Sequence, residues 1–208
     1  MFRASKDYDP LGVLIEEHWI FRDRIRAFLE ELQPAPRSQG SPTLDPQRVS
    51  SFVNFLADDV EEKHGGREEQ GLFPVLARHI GSDGGPLSVF LSEHQALRAH
   101  RTTLHRVGER LGSDPEDPSA HPALLRETQG VHQLLDDHME REDTMLFPMA
   151  REVLTVEDIA EVSEIFQRLE KELGPVQRIV EKPKSPSNPT LTPFCPAGRA
   201  KKDMAERA

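Results

Sequence analysis

Apolar residues recur at intervals of three and four along four long stretches of the chain, which is the spacing of one helix face. The first stretch runs from about Pro10 to Gln33. The other predicted helices are bounded by Pro- or Gly-rich breaks and cover about 46–80, 86–111, 122–154 and, for a shorter fifth helix, 155–174. No stretch alternates as a strand does. Short connections between long helices favour an all-α fold, an antiparallel up-down four-helix bundle with an additional C-terminal helix.

The composition changes near the C-terminus. Around Pro183 the chain becomes KPKSPSNPTLTPFCPAGRAKKDMAERA, which is rich in Pro, Ser and charged residues. Such a segment buries too little apolar surface to fold, so residues 181–208 are predicted to form a flexible, mostly disordered tail. Residues 1–180 are predicted to form one helical domain, with a core over 10–155 and the extra helix over about 155–180.

Charge and cysteine content exclude several classes of function. Lys and Arg total 26 against 36 Asp and Glu, a net charge of −10 with His neutral, which argues against a nucleic-acid or anionic-membrane partner. No apolar run is long enough to cross a membrane, and the start, MFRASKDYDP, lacks the apolar region of a secretory signal. The single cysteine, Cys195, excludes an intrachain disulfide framework and a cysteine-based metal cluster. A soluble cytoplasmic protein is therefore expected.

The histidines are the most informative residues. One lies on the apolar stripe of each long helix, and these four are His18, His64, His94 and His138. Glu68 and Glu142 each follow one of them by four residues, which places the carboxylates on the same helix faces. With a rise of about 1.5 Å per residue, the histidines of each antiparallel pair lie level to within roughly 5 Å.

The two halves of the chain repeat this pattern. HGGREEQGLFP at 64–74 and HMEREDTMLFP at 138–148 both read His-x3-Glu-x4-Phe-Pro, and the upstream histidines occur in EEH and SEH. We therefore expect an internal two-helix repeat, with a pseudo-twofold axis near the four histidines. Pro74 and Pro148 lie inside their predicted helices, and an internal proline kinks a helix.

A metal site explains the pattern better than an ordinary core does. Buried glutamate is rare unless it is paired or bound to a metal, because burying its charge costs several kcal/mol. Imidazole and carboxylate without thiolate suit Fe, Mn or Zn. Six protein ligands are too many for one ordinary metal site but suit two ions about 3.5–4 Å apart that share carboxylates. Each ion would have two histidines, shared glutamate oxygens, a solvent bridge and an open position for a small molecule such as O₂.

The paired motifs, each with an upstream Glu-His, resemble the hemerythrin-like (HHE cation-binding) family over about residues 10–155. The resemblance implies a non-haem di-iron site with oxo or hydroxo and carboxylate bridges. Its ligands would be His18, His64, Glu68, His94, His138 and Glu142, with the two glutamates bridging. Oxygen-carrying hemerythrins have a His-x3-His pair on the third helix, whereas Phe90 and Arg98 flank His94 here. They also end in His-x4-Asp, which Asp143 would satisfy in competition with Glu142, although alignment with Glu68 favours Glu142.

Several neighbouring residues carry separate expectations. Trp19 and His105 are expected to be interior, Trp19 as packing and His105 in the core or behind the ligands. Gly65 and Gly66 are expected to loosen the helix or to leave room for a close neighbour. Runs of Glu and Arg on the second and fifth helices are expected to be solvated faces.

Three functions fit this sequence. The first is a di-iron protein that binds or reacts with O₂ or a related small oxidant, such as peroxide or NO. The second is an iron-responsive sensing or interaction module without catalysis, in which the fifth helix and the tail engage a protein partner. The third is a di-iron protein like the iron–sulfur repair proteins, which share the four-His, two-Glu pattern. Those proteins usually add a small cysteine-containing N-terminal domain, whereas this chain starts about ten residues before the first helix.

Overall fold

The computed structural model describes residues 8–33, 45–81 and 84–177, and within these ranges every regular element is a helix. The single-segment helices are α1 (Pro10–Leu32), α3 (Pro86–Ser113) and α5 (Val156–Leu173). Helix α2 covers 46–80 in the segments Pro46–Asn54, Phe55–His64, Gly65–Arg67, Glu68–Leu72 and Phe73–Ile80. Helix α4 covers 120–153 in the segments Ala120–Arg141, Glu142–Leu146 and Phe147–Val153. The predicted all-α bundle with an added helix is confirmed, while the predicted tail, 181–208, lies outside the described residues.

Local capping explains where the helices begin and end. The Asp45 carboxylate accepts a hydrogen bond from the Gln47 amide at 2.9 Å and starts α2. Thr155 and Asp158 form the predicted capping box of α5. Gly174, with a φ of +78°, follows the last residue of that helix, in agreement with the predicted helix end near 174. In the described part of the chain, no helix combines the length and apolarity needed to cross a membrane.

Helices α2 and α4 contain π turns at equivalent places in the repeat. Glu68–Leu72 and Glu142–Leu146 are π-helical, and Phe55–His64 is as well. The Phe73 amide donates to the Glu68 carbonyl, and the Phe147 amide donates to the Glu142 carbonyl, five residues back in each case. The next residue in each helix is a proline, which has no N–H to donate and clashes with a regular helical carbonyl. The widened turn lets each helix continue through its proline, so the x4-Phe-Pro spacing corresponds to one π turn.

The interior contains two apolar clusters. One includes Phe21, Leu104 and Leu124, and the other includes Leu14 and Phe147. The His64 ring lies edge-on to Phe21, and the His18 ring stacks on Phe147. The buried histidines between the two clusters therefore contact apolar side chains on both sides, and these contacts restrain the imidazole rings.

Two of the expected interior residues are exposed, so those predictions are wrong. Trp19 follows the buried His18, and successive helical side chains point about 100° apart, so the indole faces solvent. His105 follows the fully buried Leu104 and lies at the surface beside Glu109. In both cases the immediately preceding residue occupies the inward position.

Gly71 allows a close helix approach, whereas Gly65 and Gly66 do not. An added Cβ at Gly65 would lie 3.4 Å from the Val60 carbonyl oxygen, and one at Gly66 would lie 3.5 Å from a Gln70 side-chain nitrogen, both ordinary contacts. An added Cβ at Gly71 would lie 2.8 Å from Cε1 of Phe166. Because the Phe166 ring is fully buried, it has little freedom to move, and Gly71 lets α5 pack tightly on α2.

Adding one methyl group at these glycines should have opposite effects on stability. Gly71→Ala should lower the free energy of unfolding of the metal-free protein by about 1–3 kcal/mol, because the added methyl group would collide with the buried Phe166 ring. Gly66→Ala, in the same helix, should raise it by up to about 1 kcal/mol through better helix propensity. Urea denaturation followed by circular dichroism measures both. A Gly71→Ala protein as stable as Gly66→Ala would show that α5 does not pack on α2 in this way.

Candidate metal centre

All six predicted ligands meet at one level of the bundle and are buried. They form two overlapping groups, one of His18, His64, Glu68 and Glu142 and one of Glu68, His94, His138 and Glu142. Within each group the potential ligand atoms lie within 4.8 Å of one another. Each group has its own pair of histidines, and both glutamates belong to both groups. This is the arrangement that two ions with shared carboxylates require.

Each glutamate directs one carboxylate oxygen towards the histidine pair of each group. The oxygen-to-Nε2 distances are 3.5 Å for Glu68–His64 and 3.3 Å for Glu68–His94, Glu142–His18 and Glu142–His138. None of the four carboxylate oxygens has a protein hydrogen-bond partner, although both side chains are fully buried. Four unpaired buried acceptors are costly in a folded protein, and a bound cation would satisfy them.

The histidines of each group point their Nε2 atoms at each other. The distance is 3.2 Å between His18 and His64 and 3.3 Å between His94 and His138. Two nitrogens that bind one ion at about 2.1 Å lie no more than about 4.2 Å apart, so both pairs fit a shared ion. With only N and O donors converging, the residues present fit a pair of divalent first-row metal ions.

The other ring nitrogen of every histidine, Nδ1, meets a carboxylate from a neighbouring helix. The distances are 2.9 Å for His64–Glu17, 2.7 Å for His94–Glu69, 2.9 Å for His138–Glu93 and 2.8 Å for His18–Asp143. A carboxylate at Nδ1 favours the proton on that nitrogen and leaves Nε2 free to bind a metal. The contacts run in order from α1 to α2, α2 to α3, α3 to α4 and α4 back to α1, so they close a ring.

This ring separates the roles of Glu142 and Asp143. Glu142 belongs to both groups of potential ligands, whereas Asp143 lies behind His18 as its Nδ1 partner. The geometry therefore favours Glu142 as the ligand, in agreement with its alignment with Glu68. Glu17 of EEH and Glu93 of SEH have the same supporting role as Asp143, because each contacts the Nδ1 atom of a histidine.

The phenylalanine of the Phe-Pro motif packs against a histidine of the next helix. Phe73 stacks on His94 with ring centroids 5.9 Å apart, and Phe147 stacks on His18 at 5.7 Å. The π turn that begins at each bridging glutamate therefore also delivers a ring that restrains a neighbouring imidazole.

Four arginines that hold the supporting carboxylates were not among the residues predicted from the sequence. They are Arg22, Arg67, Arg98 and Arg141, each bonded to one of Asp143, Glu17, Glu69 and Glu93 in that order. Arg67 and Glu69 fall in a run that was expected to be a solvated face, yet Arg67 is buried. A usable signal existed, because an arginine follows the histidine by four residues in α1 and α3 and by three residues in α2 and α4.

The pKa values show how the protein's own groups share charge before any ion binds. Burial lowers the pKa of His18 to about 4 and also lowers that of His138. The pKa values of His64 and His94 rise to about 9, because contacts with Glu68 and the supporting carboxylates outweigh burial.

Burial raises the pKa of Glu142 well above its usual range, and the nearby charge of Glu68 adds to this. The pKa of Glu68 falls despite burial, because His64 and His94 supply positive charge. In the metal-free cluster, protons on His64 and His94 therefore supply positive charge that bound metal ions would otherwise supply.

A small cavity adjoins the two groups. Its volume is about 10 Å³, room for about one water-sized molecule. His64, His94 and His138 line it together with Gly65 and apolar residues of α2–α4. A small ligand in this cavity would lie beside three of the predicted metal ligands.

Comparison with known proteins agrees with this geometry. The family model described as the hemerythrin HHE cation-binding domain matches residues 9–150. The iron-sulfur cluster repair protein YtfE of Escherichia coli O1:K1 / APEC is 30% identical over 151 residues, which is 68% of this chain and 66% of that protein. The YtfE proteins of E. coli strain K12 / DH10B and of Shigella boydii serotype 18 are 29% identical over the same shares. The chain thus spans slightly less than two thirds of the length of these relatives. With a family match over most of its length, this chain belongs to the hemerythrin HHE cation-binding domain family.

Proposed function

We propose that this protein holds two iron ions at the paired site and uses them to bind or react with O₂ or a related small oxidant, peroxide or NO. The metal ligands would be His18, His64, Glu68, His94, His138 and Glu142. The observation that carries the proposal is that Glu68 and Glu142 each direct one buried, unpaired oxygen towards each of two histidine pairs. Iron is favoured over manganese or zinc by the name of the similar repair proteins, since the N and O donors suit all three metals.

The chain's own residues would control access to the metals. When bound, the iron pair supplies redox chemistry towards a small oxidant. The cavity beside His64, His94 and His138 has room for one small molecule and excludes larger ones. Gly65 lines it without a side chain, and an added Cβ would lie 3.8 Å from Cε1 of His94. The surrounding apolar residues, Phe21, Val60, Leu97, Leu135 and Met139, limit the entry of bulk water.

A second candidate function is repair of iron–sulfur clusters, in which the bound iron is donated to a damaged cluster. The similarity to proteins named for this activity favours it. Transfer of ⁵⁵Fe from the loaded protein to a cluster-free iron–sulfur protein, supplied with sulfide and thiol, separates the two functions. Retention of the label together with reaction towards oxidant would favour the first candidate.

Neutralising one bridging carboxylate should remove metal-linked stability while sparing the metal-free fold. Because burial raises the pKa of Glu142, a neutral side chain is favoured at this position in the metal-free protein, and Glu142→Gln should change metal-free stability by less than about 1 kcal/mol. The same variant should lose most of the increase in thermal midpoint that Fe(II) gives the wild type. Glu140→Gln, on the exposed side of α4, is the matched control and should behave as wild type. Full metal stabilisation of Glu142→Gln would contradict the bridging role.

Reaction with oxidant should depend on the inward histidine of α3 and not on the outward one. Anaerobic Fe(II)-loaded protein should develop near-ultraviolet and visible absorption when it meets O₂, peroxide or NO. His94→Ala should reduce this absorption at least tenfold, because one ligand pair is broken. His105→Ala, on the exposed face of the same helix, should leave it unchanged. A colourless wild type with stoichiometric zinc after growth in iron-replete medium would contradict the proposed function.

A further inference from the structure

Each supporting carboxylate is clamped between a histidine and an arginine of the same helix. On α1, His18 and Arg22 both bond Asp143, and the Arg22 nitrogens lie 3.2 Å from the carboxylate. On α3, His94 and Arg98 both bond Glu69, each at 2.7 Å. The clamps on α2 and α4 are His64–Glu17–Arg67 and His138–Glu93–Arg141. The internal repeat therefore contains two equivalent pairs of clamps, one pair behind each histidine group.

Equivalent clamps differ in their exposure to solvent. The Arg67 side chain is 2% exposed, whereas its counterpart Arg141 is 37% exposed. Arg22 is 19% exposed, and its counterpart Arg98 is 40% exposed. Both differences have the same sign, so the support behind the His18–His64 group is more buried than the support behind the His94–His138 group.

Helix α5 accounts for part of this asymmetry. It packs against α1 and against the Gly65–Arg67 segment of α2, the two helices that carry His18 and His64. Gly71 permits this packing, because its lack of a side chain leaves space for the Phe166 ring against α2. In the described ranges, α5 thus covers one half of an otherwise repeated structure.

The cavity adds a second difference between the groups. It is lined by both histidines of one group, His94 and His138, and by Arg98. The lining includes His64 of the other group, while His18 is fully buried. The cavity therefore borders more of the His94–His138 group and its clamps than of the His18–His64 group.

We propose that the two metal positions are inequivalent, and that the arginine–carboxylate clamps set the difference. The His94–His138 position exchanges its ion and meets external ligands, and the His18–His64 position retains its ion. This inference rests on the proposed two-metal site. Ionic contacts near water are weakened by high local dielectric and by salt, so the exposed clamps hold their histidines less firmly than the buried ones. The arginines act as positioning residues through the carboxylates.

Removal of Co(II) by a chelator tests the proposal without relying on activity. Wild-type protein loaded with two Co(II) per chain and mixed with excess EDTA should lose the ions in two phases of one equivalent each, followed by visible absorption. Arg141→Ala should accelerate the fast phase by about 10–100-fold and leave the slow phase unchanged. Arg67→Ala should accelerate the slow phase by a similar factor, and Arg22→Ala, a less buried member of the same group, should do so as well.

Two measurements distinguish positioning from a general loss of fold. Arg78→Ala removes a surface contact with Glu161 away from the clamps and should alter neither phase. The absorption of the ion that remains after the fast phase should be the same in Arg141→Ala and wild type. Release of both ions in one phase from the wild type, or acceleration of the same phase by Arg141→Ala and Arg22→Ala, would overturn the inference. Fewer than two cobalt ions per wild-type chain would overturn the two-metal function and this inference with it.

Discussion

Two glutamate carboxylates, Glu68 and Glu142, lie within 4.8 Å of each other in the centre of the bundle, and no protein donor satisfies their oxygens. Burying even one carboxylate costs several kcal/mol unless opposite charge is close by. Protons on His64 and His94 supply part of that charge, as their raised pKa values indicate. Two divalent ions would supply all of it. The free energy of metal binding is then part of the free energy of folding, because the site exists only when the four helices are assembled.

Three kinds of contact in the surrounding structure hold the potential metal ligands towards this centre. The π turns after Glu68 and Glu142 fit the following prolines into continuous helices and place Phe73 and Phe147 against neighbouring imidazoles. The supporting carboxylates direct the Nε2 atoms inward, and the arginines hold those carboxylates. Each of these contacts joins adjacent helices, so the geometry of the site and the packing of the bundle depend on each other.

Much of this arrangement could be predicted from the sequence. Apolar periodicity located the helices, and the inward positions of the four histidines and two glutamates followed from it. The π turns could not be predicted, because periodicity does not report whether an amide bonds four or five residues back. The role of Gly71 could not be predicted either, since it depends on contact with Phe166, which is distant in sequence. Trp19 and His105 were misplaced because each adjoins the true inward residue. The burial of Arg67 could not be predicted, because its partner, Glu17, lies fifty residues away in the sequence.

Anaerobic titration of the metal-free protein with Fe(II), with X-ray absorption at the iron edge of the product, tests the paired site most directly. The proposed geometry predicts two tightly bound irons per chain, only nitrogen and oxygen neighbours, and an iron–iron distance of about 3.5–4 Å. A single iron per chain would contradict it, as would a sulfur neighbour supplied by Cys195.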